Sequence, residues 1–203
     1  MKIETPFITP VFHATNVEHL GFARQLFADE KPRFTNTASG LATTLKNYEL
    51  SNADPSILKR CENGKLFGKF VEDFAIWFAQ EQGVRASEYT AFIKNAWLNE
   101  MVSGSAHHRH SHYGNHLSGC YYVDVPENSP GLTLVAPSTR FDKPNWEIAS
   151  FTPLIAETWR FDPKEGDLFL WPSYLPHEVA PRAFDGVRRS IAFDIVFTPK
   201  EPE

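Results

Sequence analysis

The chain changes its hydrophobic rhythm near residue 89. Before that point apolar residues recur at helical spacing, and after it they alternate. Residues 3 to 13 contain Phe7-Ile8-Thr9-Pro10-Val11-Phe12 and read as a short strand edged by prolines. Asn16 is the expected N-cap of a helix, because Leu20, Ala23, Leu26 and Phe27 follow at the spacing of one helix face. Residues 30 to 56 are rich in Asn, Thr, Ser, Pro and Gly, hold few apolar pairs, and read as a loop or lid. A second helix is predicted over about 64–82. Leu66, Phe70, Phe74, Trp77 and Phe78 form its stripe, which should pack on a sheet, and Gly83 ends it.

From Tyr89 the period is two. Ile93, Asn95, Trp97, Asn99 and Met101 alternate with Phe92, Lys94, Ala96, Leu98 and Glu100, until Ser103-Gly104-Ser105 breaks the strand. Further strands are expected at 117–124, 132–135, about 154–161, 167–171 and 187–198, separated by turns rich in Pro and Gly. Helices followed by many short strands predict a mainly β fold of the α+β class, an antiparallel barrel or jelly roll with helices buttressing one face. One domain is expected over residues 1–203, with a helical buttress at about 14–86 and a β core at about 89–199.

Composition narrows the function classes. Apolar residues make up 42% and aromatics 14%, a globular balance, and fifteen prolines argue against a helical bundle. The net charge of -5 is spread along the chain, with no Lys/Arg run that would mark a nucleic-acid or anionic-membrane surface. Two distant cysteines, Cys61 and Cys120, make no disulfide framework and suit a reducing compartment. The first residues lack the apolar core of a signal peptide and no apolar run is long enough to span a bilayer, so a cytoplasmic location is expected.

The chemistry concentrates in histidines. Five of the eight lie between His107 and His116. His110-Ser111-His112 on an extended segment points both rings to one face, close enough to share a metal ion. Of His107 and His108, one must point away. An exposed His-rich loop is the alternative for such a pair taken alone, and three features weigh against it. His177 follows the apolar run Leu168-Phe169-Leu170-Trp171 and a proline-bracketed turn, where it can close a three-ligand set. Arg188 and Ser190 share a face with Ala192 and Asp194, and a guanidinium beside a hydroxyl suits a carboxylate in a cleft. Arg189, on the opposite face, suits a surface salt bridge. Tyr122 shares parity with Ser118 and Cys120 and would bring a phenol inward, whereas Tyr121 reads as an ordinary core residue.

These residues, in this order, resemble the iron(II)- and 2-oxoglutarate-dependent dioxygenases, most closely the bacterial and phage members related to the prolyl hydroxylase branch. The resemblance rests on Trp97-Leu98-Asn99, Gly104, His110-Ser111-His112 and Leu117-Ser118-Gly119-Cys120-Tyr121-Tyr122. It continues through Gly166 to Val179, which includes Pro172-Ser173-Tyr174-Leu175-Pro176-His177, and ends on Arg188-Arg189-Ser190. It covers roughly residues 93 to 197. It implies a double-stranded β-helix of the cupin-like kind, Fe(II) held by His110, His112 and His177, and O2 and 2-oxoglutarate as cosubstrates. It further implies the far carboxylate of 2-oxoglutarate on Arg188 and Ser190, with Tyr122 and Asn99 beside it.

One position departs from the wider superfamily, which places Asp or Glu where His112 stands. His112 is favoured as a ligand; the other choices are that it stands aside, or that Asp124 reaches in. The implied reaction converts 2-oxoglutarate and O2 to succinate and CO2 while hydroxylating a substrate. Two other readings remain at this point: a cupin-like three-His metalloenzyme that does not use 2-oxoglutarate, and a non-catalytic metal-binding barrel. A small molecule or a peptide is the expected substrate, and a monomer or homodimer the expected assembly. Residues 30–56 and 138–152, with Phe141, Asn145 and Trp146, are the loops expected to set specificity.

Overall fold

The computed structural model describes residues 8–44, 55–59, 61–137 and 156–201. Strands are numbered in chain order, and two of them form the spine: β4 (Tyr89–Met101) and β11 (Arg188–Pro199), paired antiparallel from end to end. Both alternate, so each has two distinct faces. On β11, Ile191, Phe193 and Ile195 are fully buried on one side, and Arg188, Ser190 and Asp194 are buried on the other.

The spine lies within a seven-stranded sheet ordered β1-β9-β6-β11-β4-β3-β2, where β1 is Phe12–Thr15, β2 Thr35–Asn36, β3 Ala42–Thr43, β6 Leu117–Asp124 and β9 Asp167–Pro172. A second sheet of four strands runs β5-β10-β7-β8, with β5 His107–His110, β7 Leu132–Val135, β8 Thr158–Phe161 and β10 His177–Val179. Every pairing is antiparallel. This is the jelly roll that the strand spacing predicts.

Helices α1 (Leu20–Glu30) and α2 (Glu62–Glu81) cover one face of the large sheet. Ala23, Leu26 and Phe27 from α1 and Phe67, Val71, Ala75 and Phe78 from α2 join Ile93, Tyr121, Val123, Ile191, Phe193 and Ile195 in one core. A smaller cluster, Cys120, Tyr122, Leu132, Leu134, Phe169, Trp171 and Leu175, unites residues of both sheets.

Three sequence expectations are corrected. The buried stripe of α2 is Gly64, Phe67, Val71, Ala75, Phe78 and Ala79; Leu66 and Trp77 are exposed, and Phe70 and Phe74 lie at its margin. At the start of that stripe a neighbouring segment approaches too closely for any side chain. A Cβ on Gly64 would stand 2.2 Å from the carbonyl oxygen of Leu58. The N-cap of α1 is His19 rather than Asn16, whose Oδ1 accepts from the Glu18 backbone N–H at 2.8 Å and turns the chain ahead of the helix. Finally, β2 and β3 form inside the stretch read as a loop, because Ala42 and Thr43 pair with Glu100 and Asn99 of β4. The expected loop at 138–152, with Phe141, Asn145 and Trp146, lies outside the described residues. Among the described residues, no helix is long and apolar enough to cross a membrane.

Candidate metal centre

His110 ends β5 and His177 begins β10, and the two face each other in the register of the small sheet. Their ring centroids are 4.2 Å apart. His112 lies two residues beyond, where its backbone N–H donates to the Ser173 carbonyl at 2.9 Å. Its ring centroid is 5.0 Å from each of the other two. One ligand atom from each of His110, His112 and His177 lies within 4.8 Å of the others, so the group could hold one metal ion.

The hydrogen bonds decide which nitrogen each ring offers. His110 Nδ1 donates to the His108 carbonyl at 2.6 Å, and His177 Nδ1 donates to the Leu175 carbonyl at 3.1 Å. His112 Nδ1 donates to Asp194 Oδ1 at 2.6 Å. A carbonyl or carboxylate oxygen accepts, which assigns the proton to Nδ1. All three Nε2 lone pairs are thereby left for a ligand. Burial keeps two of the rings neutral. It lowers His177 to about 3, helped by the neighbouring His110 and His112, with the Leu175 carbonyl opposing. His110 is lowered to about 4 by burial, against its bond to the His108 carbonyl.

These histidines open on a cavity of about 470 Å³, including its mouth, whose wall carries Arg188, Ser190, Tyr122, Asn99, Trp171 and His107. Arg188 is 2% exposed. Its guanidinium lies 4.8 Å over the Tyr122 ring and donates to Met101 Sδ at 3.3 Å, while its Nε has no partner. No carboxylate among the described residues pairs with it. The Trp171 indole N–H is likewise buried without a partner. Burial also pushes the Cys120 thiol up, with the Arg188 charge opposing, and holds the Tyr122 phenol well above its ordinary range. Both groups are therefore protonated at neutral pH.

The register of β11 explains why these side chains meet. Arg188 faces Met101, and Ser190 stands between Asn99 of β4 and Tyr122 of β6. Asn99 reaches the wall with its amide engaged: Nδ2 donates to Thr43 Oγ1 at 2.9 Å and Oδ1 accepts from Trp97 Nε1 at 3.3 Å. Arg189 points the other way, to Glu100 at 2.8 Å and Asp124 at 3.0 Å, the salt bridge its parity predicts. Asp124 also accepts from Arg24, so it serves this outer network and not the histidines. Of the remaining histidines, His107 stacks at 4.2 Å on His110 in the cavity wall, and His108 and His116 are exposed. Sequence reasoning placed Asp194 on the Arg188 face yet assigned it nothing. It also passed over Trp171 as a cavity donor. Alternation on β9 could have found Trp171, since it shares parity with Phe169 in the inner cluster.

Residues 95–194 match the family described as "Putative 2OG-Fe(II) oxygenase". Those residues, just under half of the chain, are what it shares with the 2OG-Fe(II) oxygenase family. Comparison with curated proteins gives no match. Among solved structures, the chain is similar to a Pseudomonas putida prolyl-4-hydroxylase at 13% identity and TM-score 0.57, over 93% of this chain and 92% of that one. It is similar to a Trichoplax adhaerens prolyl hydroxylase, solved with a hypoxia inducible factor peptide, at 14% identity and TM-score 0.57, over 92% and 83%. It is also similar to SnoK, a non-heme alpha ketoglutarate dependent carbocyclase of nogalamycin biosynthesis, at 11% identity and TM-score 0.63, over 95% and 82%. At such identities the likeness is one of fold, the double-stranded β-helix.

The 2OG-Fe(II) oxygenase family uses Fe(II), 2-oxoglutarate and O2. The donor set fits the metal: three imidazoles converge, and imidazole suits iron. The cavity fits the cosubstrate, because a buried arginine with an idle N–H and no acidic partner among the described residues suits a dianionic guest.

Proposed function

We propose that this 2OG-Fe(II) oxygenase is a hydroxylase. It would couple conversion of 2-oxoglutarate and O2 to succinate and CO2 with insertion of one oxygen atom of O2 into a substrate C–H bond. The other oxygen atom goes to succinate, so the reaction balances without a further reductant. The observation that carries this reading is Arg188. A guanidinium 2% exposed, without a carboxylate partner among the described residues and lining the same cavity as three free Nε2 atoms, fits a guest that binds a metal at one end and presents a carboxylate at the other.

In this reading His110, His112 and His177 hold Fe(II). Arg188 and Ser190 take the far carboxylate of 2-oxoglutarate, and the Tyr122 face fixes the guanidinium plane. Asn99, tied to Thr43 and Trp97, keeps the wall rigid beside them. The bound iron supplies the activation of O2. The chain's own work is to bind, to orient, and to keep water from the reacting atoms with the apolar wall of Leu41, Trp97, Leu132 and Trp171. No side chain need act as acid or base, consistent with a cavity whose thiol and phenol stay protonated. The substrate is taken to be a peptide or a small molecule, used by a monomer or homodimer.

The test is anaerobic addition of Fe(II) and then 2-oxoglutarate to metal-free protein, followed by air. A visible charge-transfer band, and succinate formed on aeration, are expected. No band and no succinate would refute the proposal.

A further inference from the structure

We propose that Asp194 is a positioning residue for the metal, supplying through His112 the negative charge that a directly bound carboxylate supplies elsewhere in the superfamily. The inference rests on His110, His112 and His177 holding the ion.

Asp194 is 0% exposed, in the middle of β11. The register sets Ser118 of β6 on one side of it and Asn95 of β4 on the other. Its carboxylate accepts from His112 Nδ1 at 2.6 Å, from Ser118 Oγ at 2.8 Å and from Asn95 Nδ2 at 3.1 Å. Ser118 in turn lies 2.9 Å from Ser173 Oγ, and the Ser173 carbonyl accepts from the His112 backbone N–H. Every group around the carboxylate donates, as an ionised acceptor requires. Yet no Lys or Arg among the described residues pairs with it; His112 is the one basic side chain it contacts there.

A buried carboxylate without a cation is costly, and natural proteins keep such a charge where something balances it. Here the balancing charge would be the ion on the far side of the His112 ring. Three neutral imidazoles and one carboxylate carry one negative charge in total, as do two imidazoles and one carboxylate. The charge has moved outward by one ring. A carboxylate on Nδ1–H pins the ring, fixes the tautomer and raises the basicity of Nε2. His112 and Asp194 together thus stand where one carboxylate stands elsewhere.

The experiment measures dissociation constants of Co(II) and, anaerobically, Fe(II) by chelator competition on the full chain, beside the thermal midpoint of the metal-free protein. For Asp194→Asn, metal binding should weaken about 10–100-fold, while the metal-free midpoint should hold or rise, because the substitution removes a buried charge and keeps the shape. A merely structural carboxylate would do the reverse, lowering the midpoint and leaving the affinity of the folded protein unchanged. Affinity within threefold of the parent would overturn the inference.

His112→Asp provides a test that does not depend on folding of the first variant. It creates the usual carboxylate set, but with Asp194 still behind it. If Asp194 already supplies the charge, His112→Asp binds Co(II) no more tightly than the parent. Binding more than tenfold tighter would also overturn the inference. If instead the parent and His177→Ala bind Co(II) alike, the metal centre itself is wrong, which is a separate failure.

Discussion

Replacing Arg188 by methionine separates the cosubstrate site from the metal site. Arg188 is 2% exposed and its guanidinium has no carboxylate partner among the described residues. The methionine is of similar length and apolar, so the cavity keeps its shape. A hydrogen bond to a charged group contributes about 1.5–3 kcal/mol, so losing a two-pronged grip on a carboxylate costs about 3–6 kcal/mol. At about 1.4 kcal/mol per factor of ten, the Kd for 2-oxoglutarate should rise about 10²–10⁴-fold. Metal affinity should stay within about threefold, because Arg188 hydrogen-bonds Met101 and stacks on Tyr122 without bonding to the three histidines. The metal-free thermal midpoint should hold or rise, since an uncompensated buried cation has gone. Arg188→Lys keeps the charge and loses the planar fork, so its Kd should fall between parent and Arg188→Met. Isothermal titration of anaerobic, metal-loaded protein with 2-oxoglutarate reads all three. An Arg188→Met Kd within threefold of the parent, with metal binding intact, would refute the argument. It would return the protein to the reading of a three-His metalloenzyme that does not use 2-oxoglutarate.

Three further outcomes are expected. His177→Ala leaves two Nε2 donors on one segment and none opposite, so Co(II) affinity should fall at least about a hundredfold by chelator competition; parity with the parent would remove His177 from the centre. His110 and His177 are depressed from 6.5 to about 4 and about 3, chiefly by burial. In metal-free protein their contribution to stability is therefore complete above pH 6.5 and is lost as pH falls toward 4 and 3, because the unfolded chain binds the protons first. The slope is at most about 1.4 kcal/mol per pH unit for each ring. Thermal midpoints of metal-free protein between pH 7 and 5 should fall, and fall less in His177→Phe; equal slopes would contradict this. Gly119→Ala would put a Cβ 2.3 Å from Phe193 Cε2 and 2.6 Å from Leu170 Cδ2, both fully buried. Overpacking there should cost about 1–3 kcal/mol and lower the midpoint without loosening the metal; an unchanged midpoint would show that the core yields.

Parity made the inner row of β11 legible in the sequence. Arg188, Ser190 and Asp194 recur every second residue, and a strand has a period of two, so they had to share a face. The same rule put Tyr122 on the cavity face and Tyr121 on the opposite face, in the core beneath the helices: Tyr122 sits beneath Arg188, and Tyr121 reaches the Asn16 carbonyl at 2.7 Å. Helix faces were less legible. The buried stripe of α2 runs through Gly64, which admits the Leu58 carbonyl, and through Phe67, Val71 and Phe78, while Leu66 and Trp77 stay exposed; packing distance is not written in periodicity.

The sequence by itself determined which residue types were available and which of them lie on one side of a strand. It named His110, His112 and His177 because imidazoles at those spacings are few, and it carried the order of motifs that marks the family. Only the tertiary structure decided what faces what across strands far apart in the chain. It set His177 opposite His110 by pairing β10 with β5, and it rejected Asp124 by committing it to Arg24 and Arg189. It brought Asp194 behind His112 across a separation of 82 residues. The physical reason is that local sequence controls backbone dihedrals and side-chain parity, whereas register between distant strands is set by the joint burial of both faces of the sheet. The carboxylate that seemed absent from the histidine stretch could therefore be found only once β11 had been laid beside β6.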